Sequence, residues 1–136
     1  MDKPSIWLEN LFFPHQEVRA NNGHQAQGSK DGSQVTFEHG MEKITGRENA
    51  FGLQLVVRLD EEKSVNPPYF FTVAAYGVFA VDPDKKLSED KIKEMLVSTG
   101  MPVLVGAVRE RLADLTARAP WGAFNLNIVS FAQEES

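Results

Sequence analysis

This chain of 136 residues contains no cysteine. Disulfides, thiolate nucleophiles and cysteine-held metals are therefore excluded, and the composition is compatible with a reducing compartment. Histidine is scarce, with only His15, His24 and His39 present. None is paired at the i, i+4 spacing of a helical metal site. His39 falls on a mostly apolar strand face, where a hydrogen-bonded core or edge histidine is expected rather than a ligand.

Clusters of lysine and arginine are missing as well. The net charge is −5, and no segment carries a basic stripe, so nucleic-acid binding through phosphate neutralisation is not expected. No apolar run approaches the roughly 20 residues that span a bilayer, so no membrane insertion is expected. Met1-Asp2-Lys3-Pro4 lacks the charged-then-apolar opening of a signal peptide, and a cytoplasmic location is the expectation. Catalytic motifs are absent too. Gly28-Ser29-Lys30-Asp31-Gly32-Ser33 lacks the order of a phosphate-binding loop and reads as a solvated loop. There is no G-x-S-x-G elbow, and Ser, His and Asp show no triad spacing. Asp60-Glu61-Glu62 reads as a solubilising turn. No enzyme, cofactor or metal is expected.

What the chain does have is apolar surface in strand-like patterns. The apolar fraction is 42% and the charged fraction 24%, ordinary for one globular domain spanning residues 1–136. Ile6 to Val18 reads as extended, interrupted by Pro14, which suits an edge strand or two short strands. Ala20 to Ser33 has no periodicity and reads as a mobile loop. Val35, Phe37, His39 and Met41 alternate along a second strand. Phe51, Leu53, Leu55, Val57 and Leu59 occupy every second position of a third. After the breaker Asn66-Pro67-Pro68, the segment from Tyr69 to Val81 is apolar on both faces. Such a strand must be covered on both sides or offer one face as a binding surface.

Ser88 suits a helix N-cap, followed by Glu89 and Asp90. Ile92, Met95 and Leu96 sit at helical spacing until Gly100 stops the helix. Pro102 suits the first turn of a second helix, with Leu104, Val105, Val108, Leu112 and Leu115 as its core stripe. Val103, Gly106 and Ala107 widen the apolar zone around it. Phe124, Leu126, Ile128, Val129 and Phe131 read as a final extended run. The expected fold is α+β: a four-stranded antiparallel sheet with a broken long helix packed on one face. One such layer from a single chain leaves apolar surface to hide, and oligomerisation would hide it.

Several strings resemble the SecB-type protein-export chaperones. They are the aromatic opening Ile6 to Phe13, the alternating Phe51 to Leu59, the strand ending Gly77-Val78-Phe79 and the stretch from Met95 to Phe131. Within the last, Met101-Pro102-Val103-Leu104-Val105, Val108-Arg109-Glu110 and Phe124-Asn125-Leu126 sit where that family has its helix-break proline, helix body and exit segment. The resemblance covers all but the loop from Ala20 to Ser33 and the tail. It implies a non-catalytic chaperone that holds unfolded polypeptides in hydrophobic grooves and assembles as a dimer or a dimer of dimers (a homotetramer). Some relatives protect antitoxins. The family docks on a translocase motor in protein export through acidic residues, whereas the matching positions here are Asn10, Pro14 and Thr72. A translocase is therefore not an expected partner. The family's further helix after the exit segment has no counterpart up to Ser136.

On this resemblance, Trp7, Phe12, Phe13, Phe37, Phe70 and Tyr76 are candidates for a client groove between the first strand, the sheet and the helix. The same residues could equally be core and subunit interface, and Trp7 and Trp121 also suit packing anchors. Val103, Val105, Gly106 and Ala107 are the candidates for self-association. An oligomeric scaffold that has lost client binding is the alternative function.

Overall fold

The computed structural model describes residues 4–28 and 32–126. Four strands, β1 (Ile6–Ala20), β2 (Val35–Lys43), β3 (Ala50–Leu59) and β4 (Tyr69–Val81), form one sheet in the order β1-β4-β3-β2. Every neighbouring pair is antiparallel. The first strand lies at an edge, as its proline requires. It is one strand rather than two, with register shifts between Leu8 and Asn10 and between Phe12 and His15. Pro14 falls inside the second irregularity, where no ladder donor is needed.

Beyond β4 come a 3₁₀ turn (Pro83–Lys85), helix α1 (Glu89–Met95), a π-helical turn (Leu96–Gly100) and helix α2 (Met101–Thr116). Ser88 caps α1, its hydroxyl accepting from Lys91 N–H at 3.2 Å. Gly100 was expected to stop this helix, but the backbone winds on through it. Pro102 has no N–H to give to the carbonyl four residues earlier, and the turn before it is loosened. Met101 N–H reaches back five residues to the Leu96 carbonyl. Gly100 is instead a point of close approach. A Cβ there would lie 2.9 Å from Leu53 and 3.2 Å from Phe79, so the bend presses onto the sheet.

The core lies between the helix and one sheet face. Leu53, Leu55, Val57, Val73 and Ala75 are fully enclosed, facing Leu104, Val108 and Leu112 of α2. Each such side chain contributes about 1.5–3 kcal/mol by leaving water. The other face of β4 carries Phe70, Thr72, Tyr76 and Val78, all half-buried. No regular strand follows α2 among the described residues. Ala123 to Leu126 runs without ladder pairing, and the positions of Ile128, Val129 and Phe131 lie outside the described residues.

Candidate functional site

Alternation decides where each candidate points, because residues opposite one another on paired strands share a sheet face. Trp7 pairs with Ala80, Phe12 with Tyr76 and Arg19 with Phe70. These positions alternate with Phe71, Phe79 and Val81, which pack in the core, so Trp7, Phe12, Phe70 and Tyr76 lie on the open face. Phe37 pairs with the enclosed Val57, which puts it on the helix face. Phe13 also lies on that side, with the Arg111 guanidinium 5.9 Å from its ring. The six aromatic candidates therefore do not form one groove.

On the open face, the Phe12 and Tyr76 rings stack with centroids 5.2 Å apart. The Tyr76 ring lies across Gly52, where a Cβ would come within 1.8 Å of the phenol oxygen. The phenol then donates to Glu42 Oε1 at 2.6 Å. Burial, with the carboxylate beside it, pushes the Tyr76 hydroxyl up to about 12. Phe12 is 44% exposed and Trp7 38%. Glu9 and Arg47 pair nearby at 2.5 Å, and the guanidinium holds the Glu9 carboxyl below its ordinary value.

A cleft of about 740 Å³ lies elsewhere, between the loop after β1 and the turn that leaves α2. Val35, Pro68, Trp121, Phe124 and Leu126 supply its apolar surface, and no Asp, Glu, Lys or Arg lines it. The wall after α2 has no regular structure, so side chains must satisfy its backbone groups. The buried Tyr69 hydroxyl accepts from Trp121 N–H at 2.9 Å and donates to the Gly122 carbonyl at 2.7 Å. The buried Thr116 hydroxyl accepts from Phe124 N–H at 2.7 Å. Arg109 Nε donates to the Leu126 carbonyl at 2.8 Å.

The facing loop was expected to be mobile, but its residues 21–28 are tied to the β3–β4 connection. Asn21 N–H donates to the Pro68 carbonyl at 2.9 Å. Asn66, in the left-handed region at φ 54°, bonds both ways with the Gln25 backbone, accepting at 2.6 Å and donating at 2.9 Å. The two walls meet where Trp121 Nε1 donates to the Asn21 carbonyl at 3.1 Å and the His24 ring tilts against the indole at 4.9 Å.

Trp121, Phe124, Pro68 and His24 are the cleft residues that sequence reasoning did not bring together. Asn66 before two prolines was the visible signal of a tight turn. Nothing in the sequence said which loop it would hold.

Along α2, Val103 is 40% exposed, Gly106 is exposed and Ala107 is half-buried, whereas Val105 is 8% exposed and belongs to the subunit core. The acidic turn behaves as expected, Asp60 Oδ1 accepting from the N–H groups of Glu62 and Lys63. Among the described residues, no three His, Asp or Glu side chains gather as a metal site. No helix among them is long and apolar enough to cross a membrane.

No protein-family model matches the sequence, and no curated protein matches it. Solved structures do. The chain is similar to the Mycobacterium tuberculosis SecB-like chaperone Rv1957, whose structure is a complex with a ChAD peptide from the Rv1956 HigA1 antitoxin. The TM-score is 0.70 at 17% identity, covering 93% of this chain and 91% of that one. It is also similar to a Streptococcus agalactiae protein of unknown function, with a TM-score of 0.52 at 13% identity over 90% of this chain and 97% of that one. The fold is SecB-like: a four-stranded antiparallel sheet with a long helix on one face.

Proposed function

We propose that this protein is a SecB-like chaperone that binds exposed hydrophobic segments of other polypeptides without catalysis. The observation that carries the reading is the cleft beside Trp121. It is apolar and uncharged, and its walls are fixed by hydrogen bonds before any ligand arrives. Preorganised walls lower the ordering cost of binding. Apolar burial at about 25 cal/mol per Å² supplies the affinity. The similar Rv1957 structure holds a peptide, which supports a polypeptide as the ligand class.

Phe12, Tyr76, Trp7 and Phe70 offer a second, flatter apolar patch on the open face, while Phe13 and Phe37 border the helix side. Val103, Gly106 and Ala107 are the proposed self-association stripe, giving a dimer or a dimer of dimers in the cytoplasm. Translocase docking is not part of the proposal, because Asn10 and Thr72 put no carboxylate on the open face.

Light scattering of a chemically unfolded, aggregating client tests the reading. Suppression at stoichiometric chaperone is expected, and Trp121→Ala should weaken it. No suppression at molar excess from an intact oligomer would favour the scaffold alternative.

A further inference from the structure

We propose that His24 makes the cleft selective for client segments bearing tyrosine or tryptophan, its Nε2 accepting a hydrogen bond from the phenol O–H or indole N–H. The proposal rests on the cleft being the client site, and it adds the side-chain class that the site prefers.

The argument begins at Asn66. Its left-handed backbone brings its carbonyl 3.0 Å from His24 Nδ1. A carbonyl oxygen can only accept, so Nδ1 carries the proton of the neutral ring and Nε2 keeps a lone pair. Among the described residues, the Asn66 carbonyl is the one hydrogen-bond partner His24 has. The ring lines the cleft and is braced by Trp121. The cleft therefore presents an apolar, aromatic interior with an imidazole acceptor in its wall.

Each ligand class meets that wall differently. Lysine and arginine carry donors, but no carboxylate lines the cleft to compensate their desolvation. Leucine and phenylalanine gain burial yet leave the acceptor unused. Serine and threonine carry a donor with little apolar area. Tyrosine and tryptophan combine a large apolar body with one polar tip.

The test uses short, unstructured, fluorescein-labelled Ser/Leu peptides that differ at one central residue: tyrosine, phenylalanine or O-methyltyrosine. Affinities are measured by fluorescence anisotropy at pH 8 with the full chain. The wild-type protein should bind the tyrosine peptide about fivefold more tightly than the other two, the worth of one partly solvated hydrogen bond. In His24→Leu the ratio should fall to about one. O-methyltyrosine keeps the oxygen and loses the donor, so it separates hydrogen bonding from ring polarity without altering the protein. Equal binding of all three peptides by the wild-type protein would overturn the selectivity and leave the client site standing. A tyrosine preference that survives in His24→Leu would also overturn it. Failure of every peptide to bind would remove the client reading itself, and the selectivity with it.

Discussion

The two faces of the sheet are built from the same strands and have different fates. Toward the helix, β3 and β4 present Leu53, Leu55, Val57 and Val73, all fully enclosed. On the other side, β4 presents Phe70, Tyr76 and Val78 half-covered, beside an exposed Trp7 and Phe12. Covering costs nothing extra where a helix with a matching stripe lies above. On the open face the aromatic rings lie flat on one another and on Gly52, sheltering what they can without a second layer. Stability is therefore concentrated on one side, and surface available to partners on the other side and at the sheet's end.

The sharpest contrast comes from α2. Val105→Asp puts a carboxylate into the helix-side core and should cost about 4 kcal/mol, read as a lower urea midpoint. Val103→Asp, two residues away but outward, should leave that midpoint within about 0.5 kcal/mol. It should lower the native mass in light scattering if the stripe joins subunits, and an unchanged mass would exclude the stripe. Tyr69→Phe removes the shared partner of Trp121 N–H and the Gly122 carbonyl at nearly constant volume. A loss of about 2 kcal/mol is expected, with weaker peptide binding because the cleft wall loosens.

The open face should respond to alkali. The Tyr76 hydroxyl is raised from 10.0 to about 12 in the folded protein. Its stabilisation is therefore complete below pH 10 and is lost as pH climbs through 12. Tyr76→Phe should flatten that part of the stability profile, and a profile identical to wild type would mean the Glu42 contact contributes nothing. The smallest effect expected is Phe12→Ala, about 1 kcal/mol from the lost ring pair. Combined with Phe13→Ala on the opposite side it should be additive; strong non-additivity would mean the two sides communicate.

Much of this contrast was legible in the sequence. The five alternating residues of β3 announced a half-buried strand, and the two-sided apolarity of β4 announced its central place. Pro14 marked the edge. The division of the aromatic candidates was hidden, because the register shifts of β1 place Phe12 and Phe13 on opposite sides through geometry that only pairing reveals. The cleft was hidden more deeply. Asn21 and Trp121 are separated by 100 residues, and each reads locally as a loop or a packing residue. Val105 satisfied the helical stripe and the apolar zone at once, and only the seating of the helix separated core from surface.

The π-helical turn before α2 carries one further consequence. Each residue of a helix advances the side-chain direction by about 100°. Met101 is bonded five residues back, so this turn holds one residue more than a regular one. Deleting a single residue from 97–99 would restore ordinary winding and swing Leu104, Val108 and Leu112 by that angle, off the sheet and into solvent. The length of this short stretch thus acts as an indexing step for everything downstream of it. Insertions and deletions there should be far less tolerated than substitutions at its exposed Ser98 and Thr99.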